Sequence, residues 1–376
     1  MTRDSSGSSK PADGSKDERL MREALELAAQ GIEAASPNPM VGALVVKGGR
    51  VIGRGYHRRC GGPHAEVDAL RDAKNTRGAD LYVTLEPCGH HGRTPPCSEA
   101  VIEAGIRRVV YAASDPNPLT RGKGPKALRK AGIDVVRGVL RREALELNRP
   151  YFHFHARGRP WVILKWAMSL DGKIATCTGE SQWITGKKAR AVGHSLRRRV
   201  DAILAGTDTV VNDDPLLTPR PAKGRSPKRV VLDRTGRIPL EHQLFAPDAK
   251  GGERICAVSP QVEEEHLGEL DSRGVTTIVL PEKPGGLDLE YLLMELAERG
   301  VTQILVEGGG SLAGSLVERG FANEVYAFVA PKIIGGRDAP GPVGGMGWPE
   351  LSSALDLQVI EERSLGPDRL IRAIVT

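Results

Sequence analysis

The sequence predicts two successive α/β domains, and three observations predict them. The first is length: 376 residues suffice for two domains of ordinary size. The second is alternation, since short β-branched runs recur between stretches of helical period along most of the chain. The third is a break at 148–160, NRPYFHFHARGRP, which carries two prolines and no clear period. A linker is expected there, between domains at 17–147 and 161–376.

Taken in order, residues 1–16 hold Ser, Gly, Lys and Asp with almost nothing apolar and are expected to be a disordered tail. No apolar stretch follows Arg3, so a signal peptide is not expected. From Glu18, Leu20, Ala24, Ala28 and Ile32 recur every four residues, as one helix face requires. Strands are expected at 41–46 and 50–55 across a Lys-Gly-Gly turn, then a helix at 64–73 and a strand at 81–85. A helix at 97–104, a strand at 108–114, a helical stretch at 126–131 and a strand at 134–138 complete a three-layer domain. The second half restarts with a strand at 161–169 and a helix at 187–199. Strands follow at 201–206, 229–233, 254–259 and 276–280, then a helix at 289–299, a strand at 302–307 and a helix at 311–319. A strand at 323–330 and closing strands near 356–361 and 369–375 end the chain.

Composition narrows the function. Hydrophobic residues are 40% and charged residues 27%, close to a globular average. No apolar run reaches the ~18 residues a membrane helix needs, so no membrane partner is expected. The formal charge of +6 suits anionic ligands, phosphates included. Basic residues are spread along the chain and aromatics are only 4%, which argues against stacking on single strands. Five cysteines, irregularly spaced, point to metal or reactive thiols in a reducing, cytoplasmic setting rather than to a disulfide scaffold.

The first half carries His64-Ala65-Glu66, then Pro87-Cys88, then Cys97 after Pro95-Pro96. One imidazole and two thiolates suit a tetrahedral Zn²⁺ with its fourth position left for water. Water on such a metal ionises near neutral pH. A carboxylate two residues from the His, at the start of the same helix, is placed to shuttle protons without being a ligand. This is the logic of the zinc deaminases, H-x-E followed by P-C-x-x-C. Here eight residues, Gly89 to Pro96, separate the cysteines instead of two. A loop that close to the metal is expected to touch substrate, and Arg93 within it suits a phosphate. Cys60 lies near His64 and is a conceivable fourth ligand of a closed, structural zinc site; Cys177 and Cys256 read as packing residues.

In the second half no G-x-G-x-x-G opens the domain. Instead Gly308-Gly309-Gly310-Ser311 joins a strand to a helix, where bare backbone and a helix N-terminus can receive an anion. Arg234, just after RVVLD, is a position suited to a phosphate.

The stretches PNPMVGALVV, HAE and EPCGHHGRTPPC resemble the deaminase half of the bifunctional riboflavin-biosynthesis deaminase/reductase family. LKWAMSLDGKIA, GESQWITG, TDTVVNDDPLLTPR and VEGGGSLAGSL resemble its reductase half. The resemblance implies a cytidine-deaminase-like α/β/α domain followed by a dihydrofolate-reductase-like α/β domain. It implies hydrolytic deamination of 2,5-diamino-6-ribosylamino-4(3H)-pyrimidinone 5′-phosphate and then NADPH-dependent reduction of the ribosyl chain to ribityl. By the same match His64, Cys88 and Cys97 hold zinc and Glu66 is the general acid/base. Asn38, His57, Arg93, Asp115 and Asn117 line the pyrimidine site. Ser181, Arg197, Leu217, Arg220 and Glu307 hold the substrate of reduction. Ala167, Trp183, Thr209, Asp213 and the turn Gly309, Gly310, Ser311 lie along NADPH, and Lys165 is a candidate proton donor. A phosphorylated pyrimidine is the expected partner, with no nucleic acid, in a homo-oligomer. The competing expectation is a tRNA adenosine deaminase whose C-terminal half binds RNA.

Overall fold

The structure, a computed structural model, describes residues 16–90, 96–221, 225–246 and 251–376. Of the expected tail only Lys16 is among them, as the first residue of a helix. The chain divides after Arg157 into two compact units.

The first unit runs α1 (Lys16–Ala29), β1 (Gly42–Lys47), β2 (Arg50–Tyr56), α2 (Ala65–Asp72), β3 (Asp80–Leu85), α3 (Cys97–Glu103), β4 (Arg108–Ala113), α4 (Lys123–Lys130), β5 (Asp134–Arg137), α5 (Arg141–Leu147) and α6 (Arg149–Arg157). Its five strands lie in the order β2-β1-β3-β4-β5. β1 is antiparallel to both neighbours, and β3, β4 and β5 are parallel. The β1–β2 turn needs Gly48 and Gly49, both at positive φ, as a two-residue hairpin turn requires. Alternation along the strands sends Leu44, Val46, Tyr82 and Val110 to one face, against α1 and α5. Ala43, Val45, Leu81, Val83 and Val109 go to the other, against α2, α3 and α4. Leu20 and Met21 of α1 are fully buried, each contributing about 1.5–3 kcal/mol. The start of α1 is pinned by Asp17, which accepts from Tyr82 Oη at 2.6 Å and pairs with Arg108 at 2.8 Å.

The second unit runs β6 (Trp161–Ser169), α7 (Lys187–Arg199), β7 (Ala202–Gly206), α8 (Thr207–Asp213), β8 (Lys228–Leu232), β9 (Arg254–Val258), α9 (Glu264–Ser272), β10 (Thr276–Val279), β11 (Glu282–Lys283), β12 (Gly286–Leu287), α10 (Leu289–Glu298), β13 (Gln303–Glu307), α11 (Gly310–Glu318), β14 (Glu324–Ala330), β15 (Leu357–Leu365) and β16 (Asp368–Val375). Nine strands form one sheet, β10-β9-β8-β7-β13-β6-β14-β16-β15, and β11 and β12 a small ribbon. The sheet is parallel from β10 to β14 and antiparallel at β16 and β15. α10 and α11 cover one face through Leu292, Leu293, Leu296 and Leu316. α7, α8 and α9 cover the other through Leu196, Val210 and Leu270. Cys256 is fully buried in this second core, as a packing residue should be, but Cys177 is exposed, which overturns the same expectation for it.

The expected linker is corrected as well. The segment 148–160 is not irregular: Arg149–Arg157 is the helix α6, and it belongs to the first unit. Pro150 sits in its first turn, where a missing N–H costs no helical bond. α5, α8 and α9 are three further helices that the sequence pattern did not reveal. Among the described residues, no helix is long and apolar enough to cross a membrane.

Candidate active sites

In open α/β sheets, ligands gather beyond the carboxyl ends of parallel strands. β3 ends at Leu85 and leads through Glu86 and Pro87 to Cys88; β4 ends at Ala113 and leads to Asp115 and Asn117. Two helix starts complete this end of the first unit. His64 is the residue before α2 and makes no side-chain cap bond to it, and Cys97 is the first residue of α3.

These positions converge. His64 Nδ1 lies 2.8 Å from Cys97 Sγ and 3.6 Å from Cys88 Sγ, and the two sulfurs are 3.4 Å apart. A tetrahedral zinc with ordinary bond lengths would set such ligand atoms roughly 3.5–3.8 Å apart. The lower value is for nitrogen to sulfur and the upper for sulfur to sulfur; His64 to Cys88 matches, the other two separations are shorter, and the donor set is a soft, zinc-type one. Cys97 N donates to Cys88 Sγ at 3.2 Å, a bond that favours the thiolate. The hydrogen bond from the Cys97 thiol, helped by His64, pulls the Cys88 thiol down to about 4, while the same contact and burial push Cys97 up. The residues therefore fit the ion. Cys60 is half-buried and is not part of this cluster.

Glu66, two residues into the helix, is buried. Burial raises its carboxyl, against the pull of His64, to about 7. A carboxyl poised there exchanges protons readily near neutral pH. Asn38 Nδ2 lies 3.1 Å from His57 Nε2, and His57 Nδ1 lies 3.0 Å from the Pro63 carbonyl oxygen. Both ring nitrogens of the buried His57 thus have protein partners, and burial lowers its pKa. Asp115 accepts from Asn117 N at 3.0 Å, Thr120 Oγ1 at 2.6 Å and Tyr151 Oη at 2.9 Å, so its carboxylate builds the loop that carries Asn117. Arg93 lies outside the described residues.

In the second unit the carboxyl ends of β6, β7, β8 and β13 supply the corresponding place. Glu307, the last residue of β13, is in register with Lys165 of β6, and their charged groups are 3.8 Å apart. Arg197 of α7 clamps the same carboxylate twice, Nε to Oε1 at 2.8 Å and Nη2 to Oε2 at 2.7 Å. Its Nη1 donates to the Thr218 carbonyl at 2.8 Å. Burial alone would raise the Glu307 carboxyl, but Arg197 and Lys165 outweigh it and hold the group at about 2. Gly309 N donates to Thr209 Oγ1 at 2.9 Å, which ties the glycine turn to the start of α8. Gly310 has a packing reason: a Cβ there would lie 2.6 Å from the Gly341 carbonyl oxygen. Ser311 is exposed beside it.

The other expected residues vary in setting. Ser181 Oγ donates to Asp213 at 3.1 Å. Trp183 is exposed, with the Arg190 guanidinium 4.4 Å from its ring centre. Ala167 is half-buried on β6 and Arg220 is exposed. Leu217 has its side chain in the core and positive φ, so any ligand contact falls to its backbone. Arg234 is exposed and pairs with Glu282 at 2.8 Å.

Three residues with a place at these sites escaped the sequence reading. Asn148 and Tyr151 bond to the loops around Asn38 and Asn117. His194 lies three residues before Arg197, on the same face of α7. Burial and the Arg197 charge lower its pKa to about 4, and its Nδ1 is buried without a partner among the described residues. For His194 a signal existed, the His-x-x-Arg spacing on an expected helix; for the other two there was none.

A zinc-type centre beside a buried carboxyl in one unit, and a buried group of paired charges in the other, mark a two-part protein with a candidate site in each unit. Residues 14–113 match the cytidine and deoxycytidylate deaminase zinc-binding region, and residues 160–371 match the RibD C-terminal domain. The riboflavin biosynthesis protein RibD of Actinobacillus pleuropneumoniae is 42% identical over 94% of this chain and 94% of its own. That of Escherichia coli K12 is 41% identical over 94% and 98%. The solved RibD of Acinetobacter baumannii is 36% identical, with a TM-score of 0.85 over 96% of this chain and 99% of its own. A deaminase/reductase from Thermotoga maritima, also 36% identical, gives 0.83 over the same shares. The chain belongs to the RibD family, the bifunctional deaminase/reductases of riboflavin biosynthesis. It combines a zinc-binding deaminase domain with an NADPH-using reductase domain of that type. The match over 160–371 decides for a reductase over an RNA-binding module in the C-terminal half.

Proposed function

We propose that His64, Cys88 and Cys97 hold the zinc and that Glu66 carries the proton of the deamination. The observation that supports this most is the cluster itself, three ligand atoms all within 4.8 Å of one another beside a buried carboxyl. When bound there, zinc supplies water acidic enough to ionise near neutral pH. Glu66 takes the proton from the attacking water and passes it to the departing amine nitrogen of 2,5-diamino-6-ribosylamino-4(3H)-pyrimidinone 5′-phosphate. Asn38, held by His57, and Asn117 orient the pyrimidine, and Arg93 meets its phosphate.

In the reductase half NADPH supplies the hydride. Glu307, fixed by Arg197, receives ribose hydroxyls, and Lys165 gives a proton to the ribose oxygen as C1′ is reduced. Ser181, Arg220 and the Leu217 backbone complete the substrate side. Ala167, Trp183, Thr209, Asp213 and the turn Gly309–Ser311 line the cofactor, and Arg234 meets its 2′-phosphate in place of Glu282. In this reading the enzyme works in the cytoplasm as a homo-oligomer, on a small phosphorylated pyrimidine and not on nucleic acid.

The test is to give the purified chain the diaminopyrimidine and NADPH and to follow ammonia and nicotinamide absorbance separately. Ammonia release followed by NADPH oxidation is expected. NADPH oxidation without ammonia, or neither signal, would overturn the reading.

A further inference from the structure

We infer that the end of the first unit, α5 and α6, is a clamp that sets the two pyrimidine loops of the deaminase, with Asn148 and Tyr151 as its positioning residues. The inference rests on the proposed roles of Asn38 and Asn117.

Asn148 lies between α5 and α6 and is buried. Its amide uses both functions on one residue. Oδ1 accepts from Met40 N at 2.7 Å and Nδ2 donates to the Met40 carbonyl at 2.9 Å, across 108 residues of sequence. This is how a neighbouring strand would hold a backbone, and Met40 lies in a stretch that no strand pairs. Met40 is two residues from Asn38, whose side chain is held by His57. The loop is thus fixed at both its backbone and its reading side chain.

Tyr151, three residues further on, holds the second loop. Its hydroxyl donates to Asp115 Oδ1 at 2.9 Å, the same oxygen that accepts from Asn117 N at 3.0 Å. Asn117 Oδ1 in turn accepts from Leu119 N at 3.0 Å. The Asn117 oxygen accepts from its own loop, and among the described residues its amide hydrogens meet no protein acceptor, which leaves them for a ligand. The two loops come from opposite ends of the unit's sequence, after α1 and after β4. One short segment holds both, so their separation is set before substrate arrives. Neither Asn148 nor Tyr151 belongs to the metal cluster. Loosening the clamp should therefore weaken pyrimidine binding and leave the ligand set alone, because ordering the loops becomes a cost of binding.

The experiment uses the full chain loaded with zinc and the variants N148A and Y151F. The reductase half, assayed on pre-deaminated pyrimidine, reports the second unit in the same molecule, and bound zinc together with the circular-dichroism melt of the chain reports the folding of the first. The expected result is a deaminase KM raised about tenfold in N148A and about threefold in Y151F, as lost loop ordering implies. Deaminase kcat, bound zinc and reductase activity should stay within about twofold in both, since no group at the reacting atoms is touched. Unchanged KM in both variants overturns the clamp. So does a joint fall of kcat and zinc content, which would mark a merely structural role. Wild-type chain that releases no ammonia refutes the functional reading instead, so the two failures are distinguishable.

Discussion

The two active sites deal with buried charge in opposite ways. In the first unit the groups concerned are the ligands proposed above: His64 and Cys97, 33 residues apart, meet at two helix starts with Cys88 between them in sequence. They form a set that a cation completes. In the second unit Glu307 and Arg197, 110 residues apart, complete each other directly, with Lys165 alongside. The difference sets what a substitution can do. In the first unit, replacing a carboxyl that is not a proposed ligand leaves all three proposed ligands in place. In the second unit Glu307, Arg197 and Lys165 are one another's counter-ions, so for these three binding chemistry and stability cannot be separated.

Glu66→Gln draws on the first half of that contrast and should give the largest effect. The amide keeps the size of the side chain and cannot move a proton. Ammonia release should fall about 10³-fold, within the span of general acid–base catalysis. Zinc content, read by metal analysis, should stay at the wild-type value, and reduction of pre-deaminated substrate should be unchanged. A variant that deaminates at the wild-type rate removes Glu66 from the mechanism.

Glu307→Gln addresses the second half. It leaves the Arg197 guanidinium, whose side chain is only 16% exposed, without its carboxylate, a loss of about 3–5 kcal/mol for a buried pair. All four tryptophans lie in the second unit, so their fluorescence in urea follows that unit alone. Reductase activity should be lost and deaminase activity kept. pH sharpens the test. The Glu307 carboxyl, ordinarily near 4.5, is held at about 2 in the fold. The unfolded chain therefore binds its proton first as pH falls. The stability from ionised Glu307 is fully present above about 4.5 and is lost as pH drops through about 2. Subtracting the E307Q stability profile from the wild-type one should leave a step in that window, on the order of 3 kcal/mol for a shift of this size. A flat difference means that Glu307 is not held ionised by Arg197 and Lys165.

The same contrast explains what could be read from the sequence. His64, Glu66, Cys88 and Cys97 were legible because the chemistry is local: each sits at a strand end or helix start that the flanking pattern marks. The main strands were legible because Leu44/Val45 and Leu204/Ala205 each send neighbouring residues into opposite cores. α6 was not, because it buries no residue fully and its core-facing Tyr151 and Phe152 stand among His and Arg residues. α8 and α9 bury one residue each, Val210 and Leu270, too few to show a face. The pairing of Arg197 with Glu307, and of Asn148 with Met40, joins residues more than a hundred positions apart, and no local rule announces either. The family resemblance named Arg197 and Glu307 as substrate ligands, but not as each other's partner.

Cys60→Ser should give the smallest effect, and its smallness is informative. A structural zinc site closes with four protein ligands, and a catalytic one leaves a position open. Cys60 is near His64 in sequence, yet the structure ties its backbone N–H to the Ala34 carbonyl at 3.0 Å and leaves its thiol outside the His64, Cys88 and Cys97 cluster. The variant should keep its zinc through dialysis against a weak chelator and deaminate within about twofold of wild type, as a substitution away from the reacting atoms does. Loss of zinc from Cys60→Ser would mean a fourth protein ligand where water must bind. The first unit would then resemble the second, a centre closed by its own residues, and the contrast between the two sites would fail at the metal.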